Sequence, residues 1–233
     1  MNSIACLALA SAAFVGTHLL LSHPLRPGLA QKLGERAFGG LYSLIAFLTL
    51  GLMIYCWRSV DDSVPYWIAP LWWWPIASAI MLFALILLVG SLIKNPAFPH
   101  PGAKPKAIRP ATGVFAITRH PMNWSFMLWA LVHLSLWGSP RNLIVASAIL
   151  ILALFGSVAQ DRKKSERYGE KWREWQARTS FMPFGALFNG KVAWRAARPG
   201  WIPLLAGLVL WLAITWYHAP MASPIGSLGH GIG

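Results

Sequence analysis

The sequence predicts an all-α integral membrane protein with six transmembrane helices, both termini periplasmic, and one amphipathic helix on the cytoplasmic side. Hydrophobic residues make up 56% of the chain and charged residues only 12%, unlike the composition of a water-soluble domain. The apolar residues form six segments, each near the roughly 20 residues that cross a bilayer core. These predicted spans lie at about 3–22, 37–57, 71–92, 121–138, 142–160 and 201–218, in a single domain covering residues 1–233.

The distribution of Lys and Arg predicts the orientation of these spans. Of the 20 Lys and Arg residues, 18 lie in the first, third and fifth loops, and 2 lie in the second and fourth. By the positive-inside rule, the odd-numbered loops are cytoplasmic. The formal net charge of +13 then fits contact with the anionic headgroups of the inner leaflet and does not require a nucleic acid partner.

The first span carries a histidine, His18, about one turn before its cytoplasmic end. It is a ligand candidate, or else a side chain hydrogen-bonded to a neighbouring helix. His23, next to Pro24, is typical of an interfacial residue. The two cysteines, Cys6 and Cys56, both lie toward the outer face, and we expect two small buried hydrophobic side chains rather than a disulfide.

The second span runs to Trp57, and three consecutive tryptophans at residues 72–74 open the third, as in an interfacial aromatic belt. Residues 94–119 follow with five prolines, which forbid a continuous helix. This segment is predicted to be a cytoplasmic lid or tether that carries His100.

The fourth span contains the most informative group of polar residues. Pro121 suits the first turn of a helix, so we expect Arg119 and His120 to project from the helix entrance, where the dipole favours negative charge. His133 lies 13 residues beyond His120. Ionisable residues inside a membrane segment are functional candidates by default.

The fifth span is followed by Tyr168, Trp172 and Trp175, whose spacing predicts an amphipathic helix over 162–178 on the inner leaflet. All seven carboxylates lie in loops or at span ends, which excludes a paired-carboxylate site inside the membrane. Histidine and arginine therefore provide the polar chemistry at depth. Histidines on separate helices of an apolar bundle suit haem b, and arginines can pair with its propionates.

Several longer stretches resemble the NnrU family of bacterial membrane proteins and, more remotely, the plastid 15-cis-zeta-carotene isomerases. They are THLLLSHPLR (17–26), KLGERAFGGLYSL (32–44), TRHPMNWSFMLWALVHL (118–134) and DRKKSERYGEKWREWQARTSFMPFGALFNGK (161–191). The resemblance implies a multi-pass protein of the bacterial inner membrane with a role linked to nitrogen-oxide metabolism. The isomerase kinship implies haem b and a lipophilic substrate. The reaction that it implies is isomerisation of a polyene.

The axial histidines of the isomerase family fall on His18 and His133 of this chain, which makes these two the predicted metal ligands. Arg119 and His120 are the further cofactor contacts. Ala130 stands where that family has a cysteine linked to redox ligand exchange, so the resemblance does not carry that exchange over. In upright helices the two histidines differ in depth by roughly 12 Å. The pair His18 and His120, closer in depth, is therefore the geometric rival.

Two other functional classes compete with the haem protein. Isoprenylcysteine carboxyl methyltransferases also carry an Arg-His-Pro element before a helix, which favours an S-adenosylmethionine-dependent membrane methyltransferase. They have a tyrosine soon after the proline and a Glu-Glu pair downstream, whereas this chain has Met122 to Trp124 and then Gln160 and Asp161. The third class is a non-catalytic transporter or assembly factor, because the NnrU resemblance assigns no chemistry.

Overall fold

The computed structural model describes residues 2–61, 64–93, 95 and 110–218, and within these ranges every regular element is a helix. This confirms the all-α prediction. The helices are α1 (Ser3–Ser22), α2 (Arg26–Leu33), α3 (Glu35–Arg58), α4 (Trp73–Leu92), α5 (Val114–Ile117), α6 (Pro121–Leu136), α7 (Pro140–Tyr168), α8 (Glu170–Arg178), α9 (Gly185–Phe188) and α10 (Trp201–His218), with a 3-10 turn at Trp194–Ala197.

Five of these helices, α1, α3, α4, α7 and α10, are long and apolar enough to cross a membrane. The chain is therefore a multi-pass membrane protein. Helix α6 occupies the fourth predicted span but has only 16 residues, fewer than the roughly 20 of a full crossing. The sixth crossing and the periplasmic side of the termini stay predictions.

Short-range chemistry sets the ends of several helices. The Asn2 side chain accepts a hydrogen bond from the Ile4 N–H at 3.0 Å and caps α1. Helix α6 begins at Pro121, as predicted. Helix α7 begins after Ser139, whose hydroxyl accepts from the Asn142 N–H at 3.3 Å. It ends at Gly169, whose φ of 58° is readily adopted only by glycine.

The long helices pack side by side in the order α3, α1, α7, α6, α4, α10. Helices α1, α7, α6 and α4 thus lie in the interior of the row, and α3 and α10 lie at its ends. Only 11% of the apolar window of α3 is buried, so side chains such as Phe47 and Leu48 are exposed on its surface. In a bilayer this surface contacts lipid, which is as apolar as the side chains themselves.

Cys6 and Cys56 form a disulfide between α1 and α3, with their Cα atoms 5.6 Å apart. The prediction of two unpaired thiols is therefore wrong. Both residues belong to a buried cluster that includes Leu7, Phe14 and Met53, and the packing of α1 on α3 brings the two sulfur atoms together. The number of residues between the two cysteines does not predict this contact, because the contact depends on the register between two helices.

The predicted amphipathic helix is α8, preceded by the last two turns of α7, which continues unbroken to Tyr168. Its aromatic face does not lie in the leaflet. Trp172 and Trp175 are buried against Leu87 and Val114, with Trp172 only 1% exposed. The turn at Gly169 folds the helix back, and burying two indoles inside the protein removes large apolar surfaces from water.

Most of the predicted lid, including His100, lies outside the described residues. Its described end forms the short buried helix α5. The Gly113 N–H just before this helix donates to the Ala196 carbonyl at 2.7 Å. The segment that leads into α6 is therefore attached to the chain that precedes α10.

Candidate functional site

A cavity of about 500 Å³ lies between α1, α3, α6 and α7, within the range of small-molecule pockets, roughly 300 to 1,000 Å³. Its walls are mainly apolar, and none of the described lining residues is Asp or Glu. The lining residues are Phe14, His18, Leu19, Ser22, His23, Tyr42, Met122, Asn123, Phe126, Ile149, Leu152, Ala153, Gly156, Gln160 and Lys163. The cavity is thus a mainly apolar chamber in which seven of the fifteen lining residues carry polar side chains.

His18 is the predicted ligand that lines this cavity. Its Nδ1 lies 2.7 Å from the Phe14 carbonyl oxygen. Because a carbonyl oxygen only accepts, Nδ1 carries a proton, and in the neutral imidazole Nε2 then has the lone pair. No described residue forms a hydrogen bond with Nε2. The ring also contacts Phe14 and Tyr42, at centroid distances of 4.2 and 5.7 Å. With Nδ1 protonated, His18 has a tautomer that can ligate a metal through Nε2.

Arg119 and His120 do not project from the helix entrance. Arg119 Nε donates to Asp161 Oδ2 at 2.7 Å, and His120 Nε2 lies 3.0 Å from Asp161 Oδ1. This second contact is short enough for an ion pair but does not meet hydrogen-bond geometry. His120 is only 3% exposed. Both side chains therefore contact Asp161 instead of projecting from the helix entrance, since an unpaired guanidinium at a half-buried position would be costly. Their contact with a cofactor stays a prediction.

Gln160 connects this ionic cluster to the cavity. Its Oε1 lies 3.0 Å from His120 Nδ1, and the same residue lines the cavity beside His18. His120 thus contacts a residue of the cavity that His18 also lines, while the pairing of His18 with His120 as iron ligands stays a prediction. A polar cluster therefore lies next to the apolar cavity. It consists of Arg119, His120, Gln160 and Asp161.

The two sequence elements that flank this cluster are hydrogen-bonded to each other. Arg119 N–H donates to the Ser180 carbonyl at 2.9 Å. The Thr118 hydroxyl and the Trp124 indole N–H both donate to the Phe181 carbonyl, each at 2.7 Å. The stretch TSFMPF therefore holds the start of α6 in place. This explains why the two elements, although distant in sequence, belong to a single site.

His133 does not line the cavity. Its Nδ1 lies 2.8 Å from the Trp129 carbonyl oxygen, so it has the same tautomer as His18. Its ring stacks on Trp129 at 4.2 Å and faces His218 at 6.1 Å between centroids. The structure therefore brings His133 to His218 and not to His18.

His23, beyond the end of α1, lies at the rim of the cavity next to Lys163. Burial lowers the pKa of His23, and the charge of Lys163 lowers this pKa further. Both effects favour the neutral imidazole. The rim histidine is therefore a hydrogen-bonding group rather than a permanent charge.

Comparison with known proteins identifies the family. The family model described as "NnrU protein" matches residues 6–224. The chain belongs to the NnrU family. It is also similar to two proteins named "15-cis-zeta-carotene isomerase, chloroplastic". The one from Arabidopsis thaliana is 33% identical over 175 residues, which cover 70% of this chain and 45% of the relative. The one from Zea mays is 32% identical over 176 residues, covering 72% and 46%.

This NnrU-family chain thus spans a little under half the length of these curated relatives. No solved structure matches it. The similarity agrees with the kinship that the sequence elements predicted.

Sequence reasoning missed several residues of the site in this NnrU-family protein. From the sequence, Asp161 is a residue at a span end, and Gln160 and Asp161 are notable only for their difference from the Glu-Glu pair of the methyltransferases. Lys163 was one of many cations in a basic loop. The available signal was that Gln160 and Asp161 are the first polar residues after a long apolar run. Tyr42 and Asn123 gave no signal beyond being polar in apolar surroundings.

Proposed function

We propose that this NnrU-family protein is a cis-trans isomerase of a polyene that enters the cavity between α1, α3, α6 and α7, with haem b bound through His18. The observation that carries the proposal is an apolar cavity of about 500 Å³ lined by a histidine whose Nε2 forms no hydrogen bond with a described residue. The names of the two curated relatives support the reaction class.

The residues around His18 suit the cofactor on chemical grounds. The Phe14 carbonyl orients the imidazole and increases its basicity as a ligand. Phe126 and Leu152 offer apolar surface for a macrocycle. His133, the second predicted ligand, contacts Trp129 and His218 instead. The proposal therefore gives the iron one protein ligand, His18.

When bound, haem would supply a redox-active iron that can withdraw electron density from a conjugated system and so ease rotation about a double bond. The protein's own contribution is binding and orientation. The apolar walls exclude water and hold an extended hydrocarbon chain. Gln160, which His120 contacts and holds in position, provides a polar amide group to the cavity. Arg119 and Asp161 hold His120 in position and are positioning residues in this proposal.

The proposed location is the bacterial inner membrane, with both termini in the periplasm. The concentration of Lys and Arg in the odd-numbered loops supports this orientation, and the same loops would contact anionic headgroups. A lipophilic substrate can reach an opening between helices directly from the bilayer. The methyltransferase, the transporter or assembly factor, and the nitrogen-oxide role stay predictions, since no described contact favours one of them.

The test is conversion of a cis polyene in cells that accumulate 15-cis-zeta-carotene. Cells expressing the full chain are expected to isomerise it, and purified protein is expected to show a Soret band. His18→Ala should diminish both by at least about tenfold, because it removes the ligand. His218→Ala, an exposed histidine outside the cavity, is the matched control and should retain both.

Two results would contradict the proposal. One is purified wild-type protein without haem and without isomerisation in haem-replete cells. The other is a His18→Ala variant that keeps the full Soret band. Binding of S-adenosylmethionine by haem-free protein would favour the methyltransferase instead. A Soret band that is lost in His133→Ala and kept in His18→Ala would assign the iron ligand to His133 instead.

A further inference from the structure

We infer that the rim of the cavity, formed by Ser22, His23 and Lys163, is a binding subsite for a phosphate or carboxylate group, such as the acidic end of an amphiphile. This inference rests on the rim and on the apolar walls behind it, and on neither haem nor isomerisation. The ligand class is an amphiphile with an acidic group, which a hydrocarbon polyene lacks.

Lys163 has unused hydrogen-bonding capacity at this rim. Its side chain lines the cavity, and Nζ donates to the Ser22 carbonyl oxygen at 3.3 Å. An ammonium group has three N–H donors, so two remain. No described carboxylate forms an ion pair with Lys163. The lysine is therefore a half-buried cation that faces a chamber without a counter-ion of its own.

The surroundings of Lys163 have an excess of positive charge. Arg26 and Arg167 lie close enough to repel it, whereas Glu35 attracts it. Glu35, however, is already paired with Arg26 at 2.7 Å. Repulsion between like charges at a partly buried site is relieved when an anion binds among them.

Nearby charged groups do not supply that anion. Asp161, on the turn before Lys163, is bound by Arg119 and His120. Glu166 pairs with Arg162 on the exposed side of α7. Lys164 lies over the ring of Tyr168 and adds a further positive charge. The negative charge that would neutralise the rim must come from outside the described chain.

A purely structural role for Lys163 accounts for only part of this geometry. Cations are favourable at helix C-termini, and the Ser22 carbonyl is at the C-terminus of α1. That contact uses one N–H group. It does not explain why the lysine lines the cavity, or why the neutral imidazole of His23, which offers one more donor, lies beside it.

The chamber behind the rim indicates an amphiphile rather than a small polar anion. Leu19, Ile149 and Leu152 line it, and Gly156 leaves space, since an added Cβ there would meet no atom within 4 Å. An acyl or prenyl chain would be buried along these apolar walls while its acidic end reaches Lys163. The same donors would also accept free phosphate, so the experiment separates these sources.

The experiment measures thermal unfolding of the full chain in dodecyl maltoside during titration with four probes. Lysophosphatidic acid and oleate are acidic amphiphiles, lysophosphatidylcholine is the zwitterionic control, and inorganic phosphate is the free anion. The variants are Lys163→Gln and Lys163→Arg. Lys171→Gln, an exposed lysine on α8, makes the same change of charge and is the matched control.

We expect lysophosphatidic acid and oleate to raise the Tm saturably in wild type, Lys163→Arg and Lys171→Gln. Lys163→Gln should need at least about tenfold more ligand, because a charge-assisted hydrogen bond is lost. Restriction of the effect to the two acidic amphiphiles supports an amphiphile as the ligand. The same lysine-dependent effect with inorganic phosphate supports free phosphate.

Equal affinities of wild type and Lys163→Gln for lysophosphatidic acid would overturn the inference. Equal responses of the wild type to lysophosphatidic acid and lysophosphatidylcholine would do so as well. If Lys163→Gln does not fold, salt titration of the wild type decides the matter. Raising NaCl should weaken binding of lysophosphatidic acid and leave lysophosphatidylcholine unchanged, and equal salt responses would overturn the inference.

Discussion

One carboxylate, that of Asp161, holds both Arg119 and His120, with Oδ2 2.7 Å from Arg119 Nε and Oδ1 3.0 Å from His120 Nε2. The residues that precede α6 are thereby tied to the C-terminal half of α7. Through His120 and Gln160 the same ion cluster borders the cavity. The charged residues at the start of α6 are thus part of the internal framework of the site.

Asp161→Asn should destabilise the protein strongly. The change leaves a poorly exposed guanidinium without its partner, which typically costs about 3 kcal/mol or more. For a chain of this size we expect a fall in Tm of roughly 5 to 10 °C. Glu174→Gln, which alters an exposed ion pair with Arg178 at 3.8 Å, is the control and should change the Tm very little. Equal effects of the two substitutions would argue against the buried cluster.

The Cys6–Cys56 disulfide should protect both thiols from alkylation. It joins residues separated by 50 positions, so its loss should cost about 2 to 4 kcal/mol. Without reductant, maleimide labelling of denatured protein should yield no adduct, and with reductant it should yield two. Cys56→Ser should lower the Tm and leave one reactive thiol. Two adducts on protein isolated under oxidising conditions would contradict the bond.

Filling the cavity from α7 should remove ligand binding without unfolding the protein. Gly156→Leu places a side chain in the chamber, where an added Cβ meets no atom within 4 Å. We expect at least a tenfold loss of haem or amphiphile binding, measured by absorption or by thermal shift, because the walls can no longer enclose a ligand.

The control for this substitution is Gly51→Leu on the exposed face of α3, where an added Cβ also meets nothing. Both changes replace a helical glycine, so each should increase helix stability by a similar amount, up to about 1 kcal/mol. Ligand binding should persist in Gly51→Leu. Binding that is equal in both variants would show that the ligand occupies another part of the molecule.

Trp172→Ala tests whether α8 packs on the protein or on the leaflet. The indole is 1% exposed, and its removal should cost about 3 to 5 kcal/mol. Trp201→Ala, which truncates an indole that is 79% exposed, should cost less than about 1 kcal/mol. Thermal unfolding in detergent measures both. Similar small losses for the two variants would favour the membrane-bound helix that the sequence predicted.

The long helices were predictable because each depends on local properties. Apolar runs of the required length, Pro121 at a first turn and the tryptophans near residue 72 identify helices without knowledge of their neighbours. The helix ends differ from the predicted span ends where a helix continues beyond the apolar run that predicted it. Helix α7, for example, continues past its apolar part to Tyr168, since charged residues outside the bilayer are good helix formers.

The candidate site was predictable in its residue types and not in its contacts. His18 is a candidate because it is a histidine inside an apolar helix; the structure places it in the cavity, and its role as a ligand stays a prediction. His133 was selected on the same grounds, yet its nearest histidine is on α10. Periodicity indicates that a polar residue lies within a helix. The direction in which it points depends on how that helix is rotated against its neighbours.

The sequence by itself determined the membrane environment, the helical class and the family, because these follow from composition, segment length and short motifs. Only the tertiary structure decided that Asp161 binds Arg119 and His120, that Cys6 is bonded to Cys56, and that Lys163 faces the cavity of His18. Each of these contacts joins residues more than 40 positions apart in the chain. They depend on the packing order and register of α3, α1, α7 and α6, which hydropathy does not encode.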